Sequence, residues 1–320
     1  MKTLRYRFLS LGQKIIERGA WFLTPISFCW GLFSHFRNRL YDSNWIPIRK
    51  VNKTVVSVGN IVAGGTGKTP FVHLLAQQFP KRKIAILSRG YGGVADEALL
   101  LKRKLPEAHI YVGKNRFLLA QQAVREGADL ILLDDGFQHR ALYRDFDLVL
   151  LHASDPFGKG HFLPRGYLRE SPQSLARADA VLTHGTQPVV PGAICIKAFS
   201  VPGQREKLQG LVAGIFCGIA KPAEFKKMLA ELGVVISAEW ILFDHEPVSL
   251  ERLKKYAADC RSLGATALIC TEKDRVKLPG KINLQIPLFA LEIEMRVVEG
   301  HLEWEKLVEK IDQKIDNGST

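Results

Sequence analysis

No Cys-x-x-Cys pair occurs in the sequence. Its five cysteines (Cys29, Cys195, Cys217, Cys260 and Cys270) are scattered. That argues against a zinc site and a disulfide framework and fits a reducing compartment. Internal repeats are absent, and so is any recognisable nucleic-acid-binding motif. Acid is scarce: Asp plus Glu is 32 against 45 for Lys plus Arg, a net charge of +13. Such a balance favours an anionic partner, whether nucleic acid, phosphorylated metabolite or lipid headgroup. Without a motif to read it, nucleic acid is not expected. What is present is ordinary globular composition, 47% apolar and 24% charged, which excludes disorder and a fibrous fold. At roughly 150 residues per domain, the chain has room for about two domains.

The positive charge is concentrated near the start. Residues 1–53 hold ten basic side chains and two acids, Glu17 and Asp42, which is +8 of the +13. Within them, GAWFLTPISFCWGLFSHF (19–36) has no Asp, Glu, Lys or Arg and carries six aromatic rings. It is slightly short for the roughly 20 apolar residues of a spanning helix, and Thr24, Pro25, Ser27, Ser34 and His35 dilute it. It also lacks a small-residue cleavage site. Aromatic rings flanked on both sides by Arg and Lys suit a segment lying in a membrane interface. The plainer reading is an amphipathic helix packed on the protein's own core.

After Lys53, short apolar runs ended by turn residues alternate with helical stretches. TVVSVG (54–59), KIAILSRGYGG (83–93), DLILLDDG (129–136), DLVLLHA (147–153) and DAVLTHG (179–185) read as strands, with helical stretches after the first and before the third. That alternation predicts a mostly parallel sheet with helices on both faces. Residues 186–206 are rich in Pro and Gly and form the best hinge candidate. A second α/β unit begins near Leu211, and the polar C-terminal residues DQKIDNGST are expected to fray.

Gly64-Gly65-Thr66-Gly67-Lys68-Thr69 follows a strand and opens a helix, the context a phosphate-binding loop requires. Glycines let backbone N–H groups close around phosphate oxygens, and the helix N-terminus adds partial positive charge. Lys68 is placed to reach the β- and γ-phosphates, and the Thr69 hydroxyl to bind Mg²⁺. The strict pattern wants Gly at position 62; Val62 and Ala63 stand there instead, so the match is to a shorter variant. Ile131-Leu132-Leu133-Asp134-Asp135 is a candidate for the strand whose terminal carboxylates hold Mg²⁺. An apolar run ending in Asp-Asp-Gly is otherwise a plain strand-to-turn boundary. Together these features imply a Mg-nucleotide, and with no guanine-reading NKxD pattern the nucleotide is ATP.

Further candidates lie on loops. Arg89 and Tyr91 sit at the C-terminal end of a strand, the edge where open α/β sheets bind ligands. Asp96-Glu97 lies just beyond, either a base for an acceptor hydroxyl or a solvated pair capping a helix. Asp244-His245 reaches that cleft only if the second domain folds over it. Gly166-Tyr167-Leu168-Arg169-Glu170 follows a Gly/Pro-rich stretch of the kind that forms active-site loops. Two functions compete here: a phosphotransferase acting on a membrane-borne acceptor, and a membrane-associated ATPase that works as a nucleotide-dependent switch. GGTGKT is similar to the deviant loops of partitioning ATPases, but those carry an extra lysine where this chain has Ala63.

The ordered set VGNIVAGGTGKTP (58–70), LSRGYGG (87–93), ADEALLL (95–101), VGKNR (112–116), DDGFQH (134–139), DPFGKGHFLPRGYLRE (155–170), FCGIAKPAEF (216–225), FDHEP (243–247) and TEKD (271–274) resembles the tetraacyldisaccharide 4'-kinases over most of the chain. The resemblance implies transfer of the ATP γ-phosphate to the 4'-hydroxyl of a lipid A disaccharide precursor. It implies that Thr66, Gly67, Lys68 and Thr69 cradle the phosphates and Mg²⁺, and that Asp134 and Asp135 are Mg²⁺-linked. It makes Asp96 the base, paired with His245, and puts Arg116, Arg169 and Glu170 at the cleft. The chain departs from the family pattern at Ala98, where the family reads Pro, in the short Val94-Ala95 loop, and at Glu246, where many members carry a second histidine.

The expected fold is α/β: a P-loop NTPase-like sheet, a second smaller α/β domain and an N-terminal membrane-associated helix. The expected domains are a membrane-associated segment (1–40), a nucleotide-binding domain (41–195), a linker (196–210) and the second domain (211–320). Expected partners are ATP, Mg²⁺, a glycolipid and the cytoplasmic face of the inner membrane, contacted peripherally or monotopically by a monomer.

Overall fold

A computed structural model describes residues 4–7, 21–90, 96–243, 246 and 248–318. Along the chain these form β1 (Leu4–Arg7), α1 (Thr24–Asp42), β2 (Thr54–Gly59), α2 (Lys68–Gln77), β3 (Ile84–Ser88), α3 (Asp96–Lys104), β4 (His109–Val112), α4 (Arg116–Arg125) and β5 (Leu130–Asp134). Then follow β6 (Phe146–His152), β7 (Ala180–His184), β8 (Ile194–Ser200), α5 (Gln204–Leu208), β9 (Val212–Cys217), α6 (Pro222–Glu231) and β10 (Val235–Ile241). The chain closes with α7 (Leu250–Ser262), β11 (Ala267–Thr271), α8 (Glu272–Arg275), β12 (Leu288–Leu291), β13 (Ile293–Glu299) and α9 (His301–Asn317).

The chain divides into two compact units, one of residues 15–198 with 295–320, the other of residues 1–14 with 199–294. The first is built on an eight-stranded sheet of order β13-β8-β7-β6-β2-β5-β3-β4. From β4 through β3, β5, β2, β6 and β7 to β8 its strands pair in parallel. Strands β2, β3 and β5 are buried at every position, as apolar runs covered on both faces must be. Alternate residues serve opposite layers. Val56, Val58, Ile86 and Leu132 pack with Phe71 and Leu75 of α2 and with Trp304, Ile311 and Ile315 of α9. Val55, Ala85, Leu87, Ile131 and Leu133 pack against Ala120 and Ala123 of α4.

Helix α1 is built inside out. Its small and polar residues face the protein: Ser27 and Ser34 are buried, and Gly31 lies so close to Phe162 that a Cβ there would come within 2.7 Å of the ring. The apolar side points away. Phe28, Phe33 and Phe36 are 64%, 59% and 63% exposed, and Ile26 and Leu32 are exposed with them, as is Trp21 in the turn just before the helix. Among the described residues no helix is long and apolar enough to cross a membrane.

The second unit has a five-stranded, wholly parallel sheet of order β1-β10-β9-β11-β12. Its two faces carry separate cores, around Phe216, Trp240, Leu253 and Tyr256 on one side and Ile215, Phe225, Leu229 and Ile269 on the other.

Three expectations differ from what is observed. Residues 4–7, placed in a helical segment, form a strand in register with β10, Leu4 opposite Ala238; β10 would otherwise leave an open edge. The C-terminal residues, assigned to the second domain and expected to fray, belong to the first unit. Helix α9 buries Trp304, Leu307, Ile311 and Ile315 at helical spacing, and Arg82 binds both Asp312 and Asp316 at 2.7 Å. Finally, the stretch taken for a hinge contains β8, and the chain leaves the first unit within that strand, at 198/199.

Candidate active site

The site forms where β2 and β5 end side by side. Val58 of β2 is in register with Asp134 of β5. The two exits then touch: a Cβ on Gly59 would lie 2.7 Å from the Phe137 nitrogen, so only glycine permits the approach. From Gly59 the chain turns through residues 60–67 into α2. Gly67, the residue before that helix, has a φ of 90°, a left-handed conformation costly to any residue with a Cβ. Gly64 and Gly65 are exposed, whereas Val62 is buried in an apolar cluster with Phe137 and Leu168, which leaves only its backbone for a ligand. The loop is held from outside by residues 167–169: Ala63 N–H donates to Tyr167 O at 2.7 Å and Arg169 N–H to Ile61 O at 2.8 Å. Thr66 is 2% exposed, and its hydroxyl accepts from Asn60 Nδ2 at 3.1 Å. Lys68 and Thr69 open α2, both half-buried.

The two aspartates at the end of β5 behave differently. Asp135 is in the left-handed region (φ 56°) and receives Arg169 Nη1 on both oxygens at 2.9 Å, with Lys68 Nζ at 3.4 Å. Burial alone would raise its pKa; Lys68, Arg169 and Arg116 override that and hold it well below the usual carboxylate range. Asp134 is 2% exposed, and neither of its oxygens has a hydrogen-bond partner among the described residues. Burial first, then the charges of Glu97 and Asp135, push its pKa up to about 7 against the pull of Lys68 and Arg116. Buried acceptors are nearly always satisfied. Two partnerless carboxylate oxygens beside a phosphate-type loop fit a hard divalent cation, which takes oxygen donors. Asp134 is the better fitted of the pair, because both Asp135 oxygens already serve Arg169.

Other expected residues surround this cluster. Arg116, the first residue of α4, is 2% exposed and acts electrostatically on both aspartates. Asp96, also 2% exposed, begins α3, and its neighbour Glu97 is near enough to raise the Asp134 pKa. Arg89 is exposed at the end of β3 and, with burial, Arg116 and Arg144, lowers the His139 pKa to about 4. Tyr91 and His245 lie outside the described residues. Glu170 has a different duty from the one expected. It is fully buried and takes Arg37 at 3.2 Å, Asn38 at 2.8 Å and Arg177 at 2.7 Å, which ties α1 to the loop. Trp30 Nε1, donating to Arg169 O at 3.2 Å, adds a second tie.

Sequence reasoning passed over Asn60, Gln138 and His184. Gln138 Nε2 donates to Asn60 O at 2.8 Å. His184 stands at the end of β7 under Gly67, its Nδ1 3.1 Å from where a Cβ would be. The signal was available for Asn60: a side-chain amide directly after a buried apolar run must find partners, and nearby turn backbone supplies them.

Residues 19–316 match the family of tetraacyldisaccharide-1-P 4'-kinases, LpxK. The chain is 35% identical over 289 residues to the tetraacyldisaccharide 4'-kinase of Chlamydia trachomatis, covering 77% of this chain and 78% of that one. It is 34% identical to the Chlamydia abortus enzyme of the same name over 97% of this chain and 94% of the other. The structure superimposes on that of LpxK from Aquifex aeolicus in complex with ATP with a TM-score of 0.72 at 29% identity, covering 90% of this chain and 98% of that one. With that match from residue 19 to residue 316, the chain belongs to the tetraacyldisaccharide 4'-kinase family.

Proposed function

We propose that this protein transfers the γ-phosphoryl group of ATP to the 4'-hydroxyl of a tetraacyldisaccharide 1-phosphate, a lipid A precursor. One observation carries the reading beyond family membership. A glycine loop that opens a helix brings Lys68 within 3.4 Å of Asp135, directly beside a buried Asp134 whose oxygens have no partner among the described residues. Phosphoryl transfer needs alignment and charge compensation more than covalent chemistry, and these residues supply both. The backbone of residues 62–69 holds the phosphates; Lys68 exchanges Asp135 for phosphate oxygens. Mg²⁺, held by Asp134 and Thr69, would add positive charge at the β- and γ-phosphates. Arg116 contributes a buried positive charge that acts on both aspartates. Asp96 takes the proton from the attacking hydroxyl, the role a buried carboxylate near that cluster can fill. His245 is proposed as a second catalytic residue, on the family pattern alone. Arg169 acts by fixing Asp135.

The acceptor is a lipid, and α1 supports a membrane encounter. Its apolar face is exposed while its polar face is anchored by Ser27, Asn38 and Glu170. The rings would lie at headgroup depth, with the basic residues of 1–53 meeting anionic lipid. The inner face of the cytoplasmic membrane is the proposed location, the chain acting there as a monomer.

The test is incubation with γ-labelled ATP and the tetraacyldisaccharide 1-phosphate in mixed micelles. Label in the glycolipid supports the kinase. Label released only as inorganic phosphate, at the same rate without the lipid, supports the nucleotide-dependent switch instead.

A further inference from the structure

We infer that Asn60 and Gln138 are positioning residues that set the phosphate loop before nucleotide arrives; this rests on the nucleotide reading of that loop. Asn60 is fully buried at the exit of β2. Its Nδ2 donates to Thr66 Oγ1 at 3.1 Å and, at the outer limit of 3.5 Å, to Gly64 O. One side chain thus spans the loop from its first residue to its last turn. Between these two contacts Gly64 holds a φ of 116°, a conformation open to glycine. The carbonyl of the same Asn60 is held from the other side by Gln138 Nε2 at 2.8 Å. Gln138 Oε1 in turn lies 3.5 Å from Arg169 Nη1, the nitrogen that grips Asp135. A continuous run of polar contacts therefore joins the carboxylate at the end of β5 to the glycines: Asp135, Arg169, Gln138, Asn60, Thr66.

Two physical consequences follow. A glycine-rich loop has the largest backbone freedom to lose on ligand binding. Side-chain braces that remove this freedom beforehand raise affinity by lowering the ordering cost. The braces also sit in a low-dielectric interior, where each bond is stronger and each missing partner more costly. The effect should therefore fall on nucleotide binding and leave the acceptor alone. Asn60 Oδ1 has no partner among the described residues, an unmet buried acceptor of the sort that functional sites tolerate for the sake of geometry.

The test uses full-length protein and ATP by titration calorimetry, with steady-state kinetics alongside. Asn60→Ala risks misfolding, so the diagnostic variants are Thr66→Val, which keeps shape and removes the acceptor, and Gln138→Met, which keeps length and removes both polar atoms. Each should weaken ATP binding about fivefold, the scale of one neutral hydrogen bond, with acceptor KM nearly unchanged. Thr66→Ser, which keeps the hydroxyl, should restore affinity to within about twofold of wild type. Unchanged ATP affinity in Thr66→Val, or an acceptor KM that rises with that for ATP, would overturn the assignment. Wild-type protein that fails to bind ATP at all would overturn the nucleotide reading as well.

Discussion

Asp134 shows how one residue is placed against its own comfort. Its pKa is about 7 in the folded chain, raised by burial and by Glu97 and Asp135, against 3.8 for an ordinary carboxylate. The folded state therefore holds its proton more tightly than the unfolded state between those values. Stability from this group is greatest at low pH and falls as pH rises from about 4 through about 7. Asp134→Asn removes a charge that has no partner. We expect that variant to melt at a higher temperature than wild type at pH 8 without metal, the gap closing by pH 5, while activity is lost. Equal melting at pH 8 would mean that Asp134 is not strained. Asp135 runs the other way. Held low chiefly by Lys68 and Arg169 against its burial, it stabilises the fold above the ordinary carboxylate pKa and loses that contribution in acid. Glu170→Gln should act on structure, because a buried carboxylate then no longer balances Arg37 and Arg177. Breaking a fully buried pair costs about 3–5 kcal/mol. Here the loss in a denaturation experiment should be smaller, since both arginines reach water, and α1 should become more sensitive to protease.

At the scale of elements, what could be read from the chain and what could not divide along physical lines. Strands β2, β5 and β6 and helix α2 were legible because continuous apolar runs, glycine exits and helical spacing are local signals. The glycine turn that opens α2 at Lys68, and the end of β5 at Asp134, were placed by the same local signals. Strand β8 was not: it lies between Pro/Gly turns that read as a hinge, and its Ile194-Cys195-Ile196 core is recognisable only once β7 is beside it. Strand β10 and the pairing of residues 4–7 with it were missed because a short strand gains its identity from its neighbour. Glu170 was misread because three donors from distant parts of the chain converge on it, which no spacing reveals. Glu246, which departs from the family's second histidine, has a local duty instead: its carboxylate accepts from Phe243 N–H at 2.9 Å, and Lys277, itself paired with the buried Asp274, lies 3.5 Å from its carbonyl. Helix α9 was undervalued because its polar residues hide a buried stripe. Trp304 meets Phe71 of α2 edge-on at 5.9 Å. Trp304→Ala should destabilise the protein by about 3–5 kcal/mol in denaturant titration; a loss under 1 kcal/mol would show that α9 is dispensable to the core.

For the whole molecule, charge and apolar surface act together. An exposed aromatic face on a chain of net charge +13 predicts binding to anionic vesicles in two separable parts. Added salt should weaken it through the charges. Phe28→Ser with Phe33→Ser and Phe36→Ser should weaken it at every salt concentration, by tenfold or more on the scale of ~1.5–3 kcal/mol per buried ring. Binding to anionic vesicles that survives the triple substitution unchanged would move the membrane contact elsewhere. The central claim concerns chemistry, and ³¹P NMR of the recovered lipid tests it most directly. With ATP and the 1-phosphorylated disaccharide, wild-type protein should produce a second phosphomonoester resonance on the sugar, and Lys68→Ala should produce none. A lipid spectrum unchanged by the wild-type enzyme, or a second resonance that appears as fast with Lys68→Ala, would contradict the account.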